Sequence, residues 1–529
     1  MVKCQSRAFF IFFQKMPEKI SYSKKSNIQK IGLFLGPILF VLTLLINPAP
    51  ENQMASRMAA IATLMAVWWI TEAIPLAATS LLPLVLYPLM GIMKGKSAAP
   101  IYINSTIFLF IGGFIIAIAM EKWRLHKRIA LWIIGTIGGS PSTIILGFMI
   151  SSAFLSMWIS NTATAIMMVP IGMSIISQME ENFGEKDTRK FTIALMLGIA
   201  YSCSMGGIAT LVGTPPNLSF ARIFEITFPE AEPVVFGQWF IMALPLTIIM
   251  IAVIWVLLTN VFYHFPAHLK TDKELVHREY KSLGPMSFEE KAVMAVFVSA
   301  ALLWVFRKEI NIGMITIPGW SQLLPYPAFI DDGTVAVFMA MILFIIPAKD
   351  ETSGSEAIID VKVFRAIPWH IVLLFGGGFA LAKGFQFTGL SALAGEQFKG
   401  LAGTSPYLMI TITCTSITFL TELTSNTATT EMILPILASV AVAMKTNPLL
   451  LMIPATLSAS CAFMMPVATP PNAIIFGSGK IRIIDMVKVG ICINIIGIMA
   501  IGLLFYTFGT IVFSIDTSSI PEWATLITE

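Results

Sequence analysis

Ser160-Asn-Thr-Ala-Thr-Ala-Ile-Met-Met-Val-Pro170 returns as Ser425-Asn-Thr-Ala-Thr-Thr-Glu-Met-Ile-Leu-Pro435, 265 positions later and identical at 7 of 11 positions. Self-similarity at a fixed offset is the mark of an internal structural repeat. Working outward, the same offset of 265 relates Phe154-Leu155 to Phe419-Leu420 and Ser140-Pro141 to Ser405-Pro406. It also relates Phe110-Ile-Gly-Gly-Phe114 to Phe375-Gly-Gly-Gly-Phe379. Downstream, Gly213-Thr-Pro-Pro-Asn217 returns as Ala468-Thr-Pro-Pro-Asn472, 255 positions on, because an intervening loop is shorter. Collinear matches of this kind divide the chain into two copies of one unit.

The surroundings of these motifs are apolar. Of 529 residues, 56% are hydrophobic and 12% charged, with a mean hydropathy of +0.81. A soluble domain carries about 25% charged residues, so most of this surface must face something other than water. The runs 31–46, 236–262 and 489–513 approach or exceed the ~20 residues that cross ~30 Å of hydrocarbon as a helix. They are interrupted by Gly, Pro, Ser and Thr and show no strand-type alternation, which favours a helical bundle over a barrel. The five cysteines (Cys4, Cys203, Cys414, Cys461, Cys492) form no CxxC pair and read as small hydrophobes.

The expected fold is an all-α polytopic membrane protein with about 11 transmembrane helices and two re-entrant hairpins. Spans are expected near 31–48, 58–75, 76–93, 103–120, 190–226, 235–262, 287–306, 333–347, 370–390, 448–479 and 483–513. Two further apolar stretches, 142–178 and 406–442, are interrupted in the middle by Ser-Asn-Thr. If each enters and leaves on one side, 25 of the 34 Lys and Arg fall in segments on the side of the N-terminus, as the positive-inside rule asks. Treating each hairpin as a full crossing would put the basic segment 263–292 outside. The organisation that follows is a cytoplasmic tail 1–30, a first transmembrane helix 31–57 and a first repeat 58–262. A cytoplasmic linker 263–292, a second repeat 293–513 and an extracytoplasmic tail 514–529 complete it. The expected location is the cell (inner) membrane, multi-pass, with the N-terminus cytoplasmic. Five crossings separate equivalent points, so the two repeats run in opposite directions, an arrangement common in secondary transporters.

The Ser-Asn-Thr tips carry good helix N-cap residues, and a helix is expected to restart at Ala163 and at Ala428. A half-helix N-terminus with free N–H groups is an anion site. Neither tip holds a Lys or Arg, so hydroxyls, carboxamides and dipoles would have to grip a carboxylate. Two such tips suit an anion with two ends. In Thr-Pro-Pro-Asn the paired prolines stop a helix, and the flanking apolar runs place each break within a span. Irregular backbone at that depth lines a cavity or is buried, and freed carbonyls with Ser, Thr and Asn oxygens suit a hard monovalent cation such as Na⁺. The acids Glu72, Glu422 and Glu431 sit in apolar segments and are functional hypotheses by default. Glu422 and Glu431 align with Met157 and Ile166, so they break the repeat and read as structural or interface groups. His264 and His268 are separated by Pro266 with no third ligand nearby, which disfavours a metal site. No P-loop, nucleophile elbow or His-Glu-x-x-His occurs. Ser160 and Ser425 have no His or Lys as base, so the chain does not read as an enzyme, and a channel would need no broken helix in each repeat.

The paired Ser-Asn-Thr motifs, followed by Gly-Thr-Pro-Pro-Asn and Ala-Thr-Pro-Pro-Asn, resemble the divalent anion:sodium symporter family, with its INDY-type bacterial dicarboxylate transporters, over nearly the whole chain from about residue 30. The resemblance implies scaffold and transport domains, an elevator mechanism and a homodimer. It implies that substrate carboxylates meet Ser160, Asn161, Thr162, Ser425, Asn426 and Thr427, with Thr214, Pro215, Thr469 and Pro470 nearby. One Na⁺ site would comprise Ser156, Ser160, Asn161 and Gly213, the other Thr421, Thr424, Asn426 and Ala468. No cofactor is implied beyond Na⁺ as coupling ion. The expected function is sodium-coupled symport of C4-dicarboxylates such as succinate, malate or fumarate. The alternatives are sodium-independent dicarboxylate exchange and symport of citrate or another divalent anion.

Overall fold

The computed structural model describes residues 25–525 apart from 267–268, 270–272, 313–314, 351–355, 398–399 and 401–402. Residues 1–24 of the expected tail, with Cys4, lie outside the described residues, as do His268 and the last four residues of the chain. The described chain is nearly all helix, the exception being a two-stranded antiparallel ribbon, Ile310–Ile312 with Ile315–Ile317. Among the described residues, nine helices are long and apolar enough to cross a membrane, and five apolar helices are shorter. Helices dominate because only they satisfy every backbone group within the segment when no water is at hand. Their starts follow the local sequence. Ser26, Asn52, Asn104, Ser140, Ser287 and Asp331 each accept a hydrogen bond from a first-turn N–H.

Both interrupted stretches fold as helix–turn–helix hairpins. The first pairs Pro141–Ser156 with Asn161–Phe183, and the second pairs Pro406–Thr421 with Asn426–Ala443. Each first limb has 16 residues, about 24 Å at 1.5 Å per residue, which falls short of the ~30 Å hydrocarbon core. Each first limb is thus shorter than a full crossing needs, whereas the second limbs, Asn161–Phe183 and Asn426–Ala443, are long and apolar enough to cross. The helices restart two residues earlier than expected, at Asn161 and Asn426 instead of Ala163 and Ala428, because Ser160 and Ser425 take the N-cap position.

Each Thr-Pro-Pro-Asn segment breaks a span, as expected. Glu185–Ile208 is followed by Pro215–Thr227, and Leu449–Ala459 by Pro470–Gly477. The prolines occupy the first positions of the second half-helix, where a missing N–H costs nothing. The stretch near 76–93 differs from expectation. It forms two short helices, Leu76–Thr79 and Leu82–Leu89, in a segment that also holds Pro75, Pro83 and Pro88.

Glu185–Ile208 lies at the centre and is buried continuously from Phe191 onward. Asn27–Ile46 lies at the edge, burying only Gly32 and Gly36. A Cβ on either glycine would overlap Thr71 or Trp68 of Gln53–Thr71, so small residues set this close helix contact. The ion pair Lys480–Glu180, at 2.8 Å, joins the end of the first hairpin to the turn after the second broken span. Arg128 holds Glu290 through two parallel bonds of 3.0 and 2.9 Å, anchoring Leu125–Ile137 to Phe288–Val305.

Candidate substrate and cation site

The two hairpin tips and the two helix breaks open onto one cavity of about 850 Å³, a size suited to a small-molecule ligand. Ser160, Asn161 and Thr162 line it from the first tip, and Ser425, Asn426 and Thr427 from the second. Thr214, Pro215, Thr469 and Pro470 line it from the breaks. All ten expected substrate residues thus face one space, although 265 positions separate the tips. The far wall comes from other helices: Ile70, Thr71 and Glu72, Phe110 and Phe114, and Ile371. Among the described residues no Lys or Arg lines the cavity, and Glu72 is its charged side chain.

The tips differ in how they are capped. Ser160 Oγ accepts from the Ala163 N–H at 3.2 Å. Ser425 makes no capping bond, so its hydroxyl and the first N–H groups of Asn426–Ala443 remain for a ligand. Thr214 likewise makes no side-chain cap, while Thr469 Oγ1 accepts from the Asn472 N–H at 3.4 Å.

Beneath each tip lies a cluster of oxygens. In the first, the buried Ser156 hydroxyl donates to Asn161 Oδ1 at 2.5 Å. A Cβ built on Gly207 would lie 2.5 Å from Asn161 Oδ1 and 3.1 Å from the Gly213 carbonyl. One built on Gly213 would lie 2.6 Å from the Gly207 carbonyl and 3.0 Å from the Ser156 carbonyl. The Ser156, Gly207 and Gly213 carbonyl oxygens and the Asn161 carboxamide oxygen thus lie around two glycines where a side chain would not fit. This is the donor set a hard cation takes. In the second cluster the buried Thr421 hydroxyl donates to Asn426 Oδ1 at 2.7 Å and lies 2.9 Å from the Ala459 carbonyl. Thr424, Asn426 and Ala468 line the cavity above it, with the Thr424 hydroxyl 2.6 Å from that of Thr429.

The asparagines of Thr-Pro-Pro-Asn, which are outside the expected cation ligands, turn their amide nitrogens onto the freed carbonyls, and their Oδ1 atoms have no hydrogen-bond partner among the described residues. Asn217 Nδ2 donates to the Gly207, Ile208 and Thr210 carbonyls at 3.3, 3.2 and 2.7 Å. Asn472 Nδ2 donates to the Ala462 and Met465 carbonyls, both at 3.1 Å. Both asparagines are fully buried. Carbonyls freed by a break are costly in a dry interior, and a side-chain amide is the nearest group able to meet several. Gly207 was missed altogether. Its signal was the pair Gly206-Gly207, one turn before the break. Phe110 and Phe114 were recognised as part of a repeat and left without a role, yet both line the cavity.

Of the two symmetry-breaking acids in the second hairpin, Glu422 accepts from the Phe463, Met464 and Met465 N–H groups and from Asn494 Nδ2, at 2.7–3.1 Å. It clamps the second break to the hairpin turn, in keeping with the structural role expected of it. Thr210 makes the corresponding tie in the first half, donating to the Met157 carbonyl at 2.5 Å.

Residues 29–515 match the profile of the sodium:sulfate symporter transmembrane region. The chain belongs to this family. It is 43% identical over 517 residues to the sodium-dependent dicarboxylate transporter SdcS of Staphylococcus saprophyticus, covering 96% of each chain. It is 45% identical over 517 residues to SdcS of Staphylococcus aureus strain MRSA252, covering 97% of this chain and 96% of the relative. Among solved structures it is similar in fold to MtrF of Neisseria gonorrhoeae, described as one of a class of antimetabolite efflux pumps, with a TM-score of 0.53. That match has 11% identity and covers 83% of this chain and 87% of the other. The YdaH transporter of Alcanivorax borkumensis gives a TM-score of 0.50 at 9% identity, over 85% of this chain and 98% of that one. The relatives are transporters, and this chain is a multi-pass membrane transporter rather than an enzyme.

Proposed function

We propose that the chain couples the entry of a C4-dicarboxylate, such as succinate, malate or fumarate, to Na⁺. One observation carries the reading: both hairpin tips face a single cavity without a basic side chain among the described residues, and each tip is backed by its own oxygen cluster. A dianion in such a cavity needs positive charge from elsewhere, and a monovalent cation bound beneath each tip supplies it. Ser160, Asn161, Thr162, Ser425, Asn426 and Thr427 hold the carboxylates in this scheme, with Thr214, Pro215, Thr469 and Pro470 around them. Ser156, Ser160, Asn161 and Gly213 hold one Na⁺, and Thr421, Thr424, Asn426 and Ala468 the other. The cations draw Asn161 and Asn426 into place, so the anion binds well only after them. The SdcS relatives are sodium-dependent dicarboxylate transporters by name, which supports the same substrate and ion.

The proposal extends to movement. The hairpins and broken spans form one wall of the cavity, and Gln53–Thr71, Ser105–Lys122 and Trp369–Thr388 contribute the other. That division favours an elevator in which the first wall slides along the second, within a homodimer in the cell membrane, with inverted repeats and a cytoplasmic N-terminus. The test is uptake of labelled succinate into proteoliposomes under an imposed Na⁺ gradient. Uptake that follows the gradient supports the proposal. Uptake indifferent to Na⁺ but driven by internal dicarboxylate makes the chain an exchanger.

A further inference from the structure

The second acid of the second hairpin has no place in this scheme. Glu431 is fully buried, and so is Ser219, whose hydroxyl hydrogen-bonds to its Oε1. Its Oε2 has no hydrogen-bond partner among the described residues. The contrast with Glu422 is sharp, since that carboxylate is met by three backbone N–H groups and a carboxamide. Glu431 lies where Asn426–Ala443, Pro215–Thr227 and Trp369–Thr388 meet. A Cβ built on Gly378 would sit 1.5 Å from Glu431 Oε2. The neighbouring Gly377 and Gly376 receive Ser80 and Tyr102 in the same way. Gly376-Gly377-Gly378, which answers to Ile111-Gly112-Gly113 of the first half, is therefore a close-packed seam, with Glu431 of the second hairpin on one side and Ser80 and Tyr102 on the other.

We propose that Glu431 is a proton-binding site, standing as a neutral acid against the glycine seam. A buried carboxylate without a counter-charge or a full set of donors is disfavoured, and taking up a proton removes the charge. The Ser219 hydroxyl can donate to the carboxyl or accept its proton, so one partner suffices for the neutral form and not for the ionised one. Among the described residues, none of the charged groups on the elements packed around it hydrogen-bonds to Glu431, although Arg222 Nε is left without a partner. On Pro215–Thr227, Arg222 pairs with Glu225 at 2.6 Å. On Trp369–Thr388, Lys383 donates to Gln386 at 2.7 Å, and His370 lies more than two turns from Gly378. On Gln53–Thr71, Arg57 donates to the Met90 carbonyl. Leu390–Glu396 contributes Glu396, while Leu449–Ala459 and Pro406–Thr421 contribute no charged residue. Neutralisation lets the hairpin slide over the seam without dragging a hydrated charge.

This inference goes beyond the transport reading, and its test reads the carboxyl directly, whichever anion is carried. Infrared spectra of the purified protein at neutral pH should contain the carbonyl stretch of a protonated carboxyl. Glu431→Gln should remove that band, and Ser219→Ala, a small change that keeps the fold even if the first variant does not, should shift its frequency. Raising the pH should abolish the band in the wild type. Absence of such a band at neutral pH, or a band that ignores both substitutions, overturns the proposal.

Discussion

The two hairpin-and-break units meet the same demands with different atoms. In both, a hydroxyl five residues before the tip asparagine donates to its Oδ1, from Ser156 to Asn161 and from Thr421 to Asn426. In both, the asparagine after the prolines caps the carbonyls that the break sets free. The first unit then relies on bare backbone, with the Ser156, Gly207 and Gly213 carbonyl oxygens lying around two close-packed glycines. The second places Ala462 and Ala468 at those positions and adds side chains, namely Thr424 above the cluster and Glu422 clamping the break. Repeats that line one cavity can thus drift apart in the means of holding the backbone while the tip residues facing that cavity stay alike.

Each difference can be broken separately. The largest effect is expected from Glu422→Ala, which strands three backbone N–H groups in a buried site. It should cost on the order of 3 kcal/mol or more of stability, read as a lowered thermal midpoint in detergent, whereas Met157→Ala at the matching position of the first unit should cost less. Next, Asn217→Ala leaves three carbonyls unmet and Asn472→Ala two. Both should destabilise by about 2 kcal/mol, with the first variant the worse.

The cation clusters respond to glycine. Gly213→Ala puts a methyl group among the oxygens and should weaken Na⁺ activation of uptake at least ~10-fold, or about 1.4 kcal/mol. Ala468→Gly should leave Na⁺ activation near the wild-type value. The smallest effect is expected at the caps. Ser160→Ala loses a capping bond worth about 1 kcal/mol, visible in the thermal midpoint. Ser425→Ala, with no cap to lose, should leave that midpoint unchanged and raise the KM for the anion.

Much of this architecture was legible in the chain because it is local or repeated. Hydropathy marked the helices, the offset of 265 marked the hairpins, and the proline pairs marked the breaks. The ten cavity-lining residues proposed to meet the substrate were legible because two motifs each occur twice, and two copies of a polar tip in an apolar chain point to a shared ligand. What stayed hidden depends on which helix packs against which. Ser219 reaches Glu431 across 212 positions, and no periodicity announces such a meeting. The same holds for Gly207, whose carbonyl matters only once the first hairpin has been laid against the break. The role of Asn217 stayed hidden in the same way, because its amide meets the Gly207, Ile208 and Thr210 carbonyls only once the break has folded. The stretch near 76–93 is apolar enough to span, yet its prolines break it into short helices.

The central claim is that the two tips hold one dianion between them. A single-particle map of the purified protein with Na⁺ and succinate tests it most directly. The account predicts anion density bridging the side chains of Asn161 and Asn426, with a cation beneath each. Succinate bound elsewhere, or tips opening onto separate cavities, would contradict it.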